Sequence, residues 1–153
     1  MSVSQAPGPE TSLLGEASLT ASRLHGRLLA AHDRMARASG LTAARWQILE
    51  TVAERPRTVS DTARHLGTRR QSVQRIADAL VDAGLAEYLP NPAHSRARLL
   101  SPTEEGHEAL RGPAPERTRM ARALLAELGE EELRHTLARM EALSEAVARW
   151  ERR

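Results

Sequence analysis

Apolar residues recur along most of this chain with the three-to-four-residue step of a helix, and breaks in that rhythm mark its elements. From Ser12 to about Ala38, Leu24, Leu28, Ala31 and Met35 keep one stripe apolar, and Gly40 closes the segment. Thr42 is placed to cap a second helix with Trp46, Leu49, Val52 and Ala53 inward, and Pro56 stops it. Arg57-Thr58-Val59 reads as a short extended piece; Ser60 then caps a third helix, Asp61 to Leu66, and Gly67 turns the chain. A fourth helix, capped by Thr68 and running to about Ala83, sets Val73, Ile76, Ala77 and Leu80 on one face before Gly84 ends it. The period then changes. Two short β-prone runs, Leu85 to Leu89 and Arg98 to Leu100, flank the turn-forming stretch Pro90 to Ala97. Thr103 caps the next helix, Gly112-Pro113-Ala114-Pro115 breaks it, and helix resumes from Arg117 to Leu128. After Gly129 a last helix, Glu130 to about Arg149, lines up Leu133, Leu137, Met140, Leu143, Val147 and Trp150 as a narrow seam.

The fourth helix is the one whose polar face carries chemistry. Arg69, Arg70, Gln71, Ser72, Gln74 and Arg75 come before any acid, the first being Asp78. Those side chains are donors suited to phosphates and to the major-groove edges of bases. Two helices joined at Gly67, the second cationic and followed by a basic hairpin, have the grammar of a winged helix-turn-helix. The expected DNA contacts are therefore Thr68, Arg69, Arg70, Gln71, Ser72, Gln74 and Arg75. Arg96 is expected as a minor-groove wedge, and Arg98 either touches phosphate or holds the wing. The expected fold is mainly α with a small β-hairpin wing. Residues 41–102 form the winged helix-turn-helix, 12–40 and 103–153 a helical dimerisation region, and 1–11 a disordered N-terminal segment. The seam from Leu133 to Trp150 needs a partner, and a two-fold homodimer suits a palindromic operator.

Composition narrows this picture. All 22 basic residues are Arg, yet the net charge is only +2, so a local patch must do the binding. That patch exists: residues 41–102 hold nine Arg against six acids, whereas 103–153 hold nine Arg against eleven. The chain has no Cys and no Phe, which removes disulfides, thiolate zinc sites and cysteine redox sensing. His25 and His32 share one helix face near Asp33, but two histidines do not complete a metal site, and no cofactor is expected. No nucleophile–base signature or Gly-rich phosphate loop occurs, so no catalytic residue is assigned. The chain has no apolar run near the ~20 residues of a membrane span and its start lacks the pattern of a signal peptide, so a cytoplasmic location is expected.

Leu41-Thr42-Ala43-Ala44-Arg45-Trp46-Gln47-Ile48-Leu49, then Ser72-Val73-Gln74-Arg75-Ile76 with Leu80 and Gly84-Leu85, together resemble the MarR-type transcriptional regulators. So do Asn91-Pro92 through Arg96-Ala97 and the run Leu100-Ser101-Pro102-Thr103-Glu104-Glu105-Gly106. The resemblance covers roughly residues 24–150. His94 and Ser95 stand where that family's wing usually has an acid and a second arginine, and Asn91 where it often has Asp. The resemblance implies a homodimeric regulator, here expected to be a repressor, on a pseudo-palindromic operator. It also implies a small anionic or phenolic effector bound between the dimerisation helices and the winged-helix lobe. His25, Arg45 and Trp46 are the effector-site candidates. Two readings stay beside it: a winged-helix protein-interaction module that does not bind DNA directly, and a small helical enzyme.

Overall fold

A computed structural model describes residues 8–153, and these divide into two compact units, 8–113 and 114–153. The first unit holds α1 (Pro9–Ala36), a 3-10 turn (Arg37–Ser39), α2 (Ala43–Glu54), α3 (Val59–His65) and α4 (Arg70–Asp82). It continues with β1 (Ala86–Leu89), β2 (Leu99–Pro102) and α5 (Glu104–Arg111). The second holds α6 (Ala114–Leu128) and α7 (Glu130–Glu151), which pack on each other across Gly129. The architecture is mainly α with a two-stranded antiparallel hairpin, as the pattern predicts. Helix α1 starts at Pro9, ahead of Ser12, so only the first part of the segment expected to be disordered lies outside the described residues.

The core of the first unit is built without phenylalanine. Leu49, Val52, Val73, Leu80 and Leu100 are fully buried, with Trp46 beside them as the bulky piece. Val73, Ala77 and Leu80, three of the four apolar positions spaced along α4, face this core, so the polar face of that helix turns outward. The hairpin pairs Ala86 with Pro102 and Leu89 with Leu99, and Arg57 adds a third edge by exchanging both backbone hydrogen bonds with Leu100.

Two helix caps also differ from the sequence pattern. Helix α3 is capped by Thr58 rather than Ser60: the Thr58 hydroxyl accepts from the Asp61 N–H at 3.1 Å and donates to the Asp61 carboxylate at 2.8 Å. A residue that bonds both the amide and the side chain of the third helical position outcompetes Ser60 for the role. Helix α4 begins after Arg69, not Thr68, because the Thr68 N–H is spent on the Ala63 carbonyl, closing α3 around Gly67 at φ 62. Gly84, at φ 72, ends α4 as expected: the Leu85 N–H reaches the Leu80 carbonyl and the Gly84 N–H the Val81 carbonyl.

Candidate nucleic-acid interface

The outward surface of α4 presents Arg70, Gln71 and Arg75 exposed, with Arg69 exposed just before the first turn. Thr68 is exposed as well, while Ser72 and Gln74 are half-buried on the flanks. Asp78 and Asp82 occupy the same outward surface further along, so cationic character is confined to the N-terminal two turns. A phosphate backbone is attracted to the start of this helix and repelled by its end.

Beside α4 lies a groove of about 340 Å3, walled by Thr58 and Ser60 of the α3 start, Arg70 and Gln74, and the wing residues Tyr88, Arg96 and Arg98. Three arginines thus converge from two elements. Arg96 is exposed and points no hydrogen bond at the protein among the described residues. Arg98 is instead tied to the wing: its guanidinium lies 5.5 Å from the centre of the Tyr88 ring and donates to the Tyr88 carbonyl. Arg98 is thus engaged with the wing while remaining exposed.

Gln74 is likewise engaged. Its amide nitrogen donates to Asp78 Oδ1 and to the Tyr88 hydroxyl, both at 2.9 Å, and that hydroxyl donates to Asp78 at 2.8 Å. Helix α4 and the wing are joined by this triangle. Burial, reinforced by the hydrogen bond to Asp78, pushes the Tyr88 phenol up to about 12. Sequence reasoning missed Tyr88 and Asp78 because nothing local links residues ten positions apart in different elements. At the wing tip Asn91 does the bracing: its Nδ2 donates to the Ala97 carbonyl at 2.8 Å and its Oδ1 accepts from the Ala93 N–H at 3.0 Å. The loop carrying His94, Ser95 and Arg96 is closed from its base.

Residues 39–97 match the sequence model of the MarR family. That stretch is similar to the MarR family, and the fold around it is a winged helix-turn-helix. An uncharacterized protein of Mycobacterium tuberculosis, Rv2011c, is 46% identical over 87 residues, covering 57% of this chain. The match spans 61% of that relative's length. The crystal structure of the MarR family transcription regulator SP03579 superposes with a TM-score of 0.75 at 23% identity, covering 94% of this chain and 96% of its own. The M. tuberculosis transcriptional regulator MosR, in complex with DNA, gives 0.70 at 25% identity over 86% of this chain and 97% of its own. SP03579 and MosR are transcriptional regulators.

The effector-site candidates are spread out in the first unit. Trp46 is 4% exposed and belongs to the core. The ring that meets it edge-on, with centroids 5.1 Å apart, is His32; His25 is exposed seven residues earlier on α1. Arg45 is half-buried in the first turn of α2, next to the Ala43 N–H that donates to Asp33 Oδ1 at 2.6 Å. The dimer-seam residues Leu137, Met140, Leu143, Val147 and Trp150 are exposed on α7, and Leu133 is half-buried. Among the described residues no helix is long and apolar enough to cross a membrane, and no cluster of potential metal ligands occurs.

Proposed function

We propose that this protein is a sequence-specific, double-stranded-DNA-binding transcriptional repressor that works in the cytoplasm as a homodimer on a pseudo-palindromic operator. One observation carries the reading: the exposed Arg69, Arg70, Gln71 and Arg75 at the start of α4 stand beside a wing that offers Arg96 across a cationic groove. The start of α4 enters the major groove, where Arg75 and Gln71 reach base edges and Arg69 and Arg70 hold phosphates. Gln74 and Arg98 set the spacing between helix and wing, and Arg96 enters the adjacent minor groove. The likeness to MosR, which was solved on DNA, supports this reading. The apolar seams of α1 and α7 supply the two-fold contact that brings two recognition helices onto half-sites about 34 Å apart.

An organic effector tunes the affinity, with His25, Arg45 and Trp46 as its candidate contacts. It acts only by binding the DNA-incompetent arrangement more tightly than the competent one. The decisive experiment selects binding sites from random duplex DNA and then measures Arg75→Ala on the site recovered. Loss of about 1–3 kcal/mol for the cognate site, with little change on random DNA, is expected. Failure to enrich any duplex overturns the reading.

A further inference from the structure

A second groove, of about 520 Å3, adjoins the first at Thr58 and uses the wing as a wall again, this time through Asn91, Ala93 and Leu99. Its other walls are the Arg55-Pro56-Arg57 turn and the Asp61, Arg64 and His65 side of α3. The charges there are unevenly committed. Arg57, only 12% exposed in its side chain, faces Glu54 at 3.6 Å and donates to the Thr51 carbonyl. Asp61, the one acid in the lining, already holds the Thr58 hydroxyl at 2.8 Å and Arg64 at 2.9 Å. Arg64 gives that bond from one terminal nitrogen and its side chain remains 78% exposed, which leaves the rest of its fork open. The side chains of Arg55 and His65 are exposed and make no hydrogen bond or ion pair among the described residues.

We propose that this second groove seats a phosphodiester of the DNA backbone through Arg55, Arg64 and His65, a contact separate from those of the recognition helix and Arg96. The proposal rests on the DNA-binding reading above. When a helix occupies the major groove and a wing the neighbouring minor groove, one sugar-phosphate strand runs between them. The other strand bounds the minor groove on its far side, only about 6 Å across. Two cationic grooves sharing the wing as a wall match two strands sharing one minor groove. The first takes the near strand on Arg70, with Arg96 entering the minor groove between the strands; the second takes the far one. A carboxylate ligand or an acidic peptide would find the same cations but no reason for their placement along the wing.

The test compares the salt dependence of binding to the selected operator for the wild type and an Arg55→Ala/Arg64→Ala double variant, with helicity and thermal melting checking the fold. Each phosphate that the variant no longer neutralises flattens the slope of log K against log salt by about 0.9, so a visibly shallower slope is expected. Base discrimination stays as in the wild type. Shortening the duplex beyond the wing then weakens the wild type and leaves the double variant unchanged. Arg55→Glu, at an exposed side chain with no partner to lose, is the second variant and is expected to weaken cognate and random duplexes by the same factor. Unchanged slopes in a folded double variant and unchanged affinities in Arg55→Glu overturn the second seat alone. A wild type that binds no duplex at all overturns it together with the DNA-binding reading.

Discussion

Tyr88 is the only tyrosine in the sequence, so a spectroscopic titration of phenolate reads this side chain without interference. Its hydroxyl lies between Asp78 and Gln74, and its ionisation is pushed up to about 12 by burial first and by Asp78 second. In the unfolded chain a tyrosine ionises near 10. Between those two values the folded protein holds the proton more tightly than the unfolded one, so stability falls as pH rises. The contribution is fully present below about pH 10 and is lost as pH rises through about 12. Native protein is therefore expected to show a phenolate midpoint near pH 12, and urea-unfolded protein one near pH 10. Tyr88→Phe removes that part of the alkaline decline. Coincident midpoints for native and unfolded chains dismiss the helix-to-wing triangle. None of this was legible in the sequence, where Gln74 looks like one more donor aimed at bases. Hydrogen bonds between residues 14 apart in different elements leave no periodic trace.

At the scale of elements, the sequence located helices and turns well and their first residues less well. Gly67 and Gly84 were readable because only a residue without a side chain takes a left-handed turn at low cost. Cap residues were readable only in part: Thr42 and Thr103 cap as the pattern predicts, whereas Thr58, Ser60 and Thr68 are all chemically able and only the neighbouring backbone chooses among them. Thr58 wins through Asp61, whose carboxyl it holds below the usual range, with Arg64 contributing further. That contribution is present above the ordinary carboxylate pKa and fades as pH falls through the lowered one. Thr58→Ala is expected to cost about 0.5–2 kcal/mol in urea unfolding, and Ser60→Ala far less. The acid-side decline in stability moves to higher pH in Thr58→Ala. Equal costs for the two substitutions argue against Thr58 as the cap.

For the whole molecule, the exposed apolar residues are the outstanding fact. Leu13, Leu14 and Leu19 on α1, and Leu137, Leu143 and Trp150 on α7, are each at least 47% exposed in the single chain. Faces of this kind are covered in a stable soluble protein. A pair of chains covering them is expected to sediment as a dimer at micromolar concentration. Leu137→Glu together with Met140→Glu places charges in that interface and dissociates the pair or unfolds it. A wild-type chain that sediments as a monomer refutes the dimer. The seam on α7 was readable because apolar spacing along a helix survives whatever covers it. What covers it left no mark in a single chain's pattern.

The clasp beneath the wing has a consequence of another kind. Thr103 caps α5 through the Gly106 N–H, its hydroxyl donates to the Gly84 carbonyl at 2.6 Å, and its own N–H reaches the Leu85 carbonyl at 3.1 Å. A Cβ on Gly106 would collide with that same Leu85 carbonyl, so glycine alone fits there. The chain thus leaves the helical body and rejoins it at one point. Everything strung between, from Ala86 to Pro102, is a cassette with fixed attachment. Descendants of this sequence are free to lengthen or recharge the wing tip, and so to acquire new operators, while the frame that presents it stays unaltered.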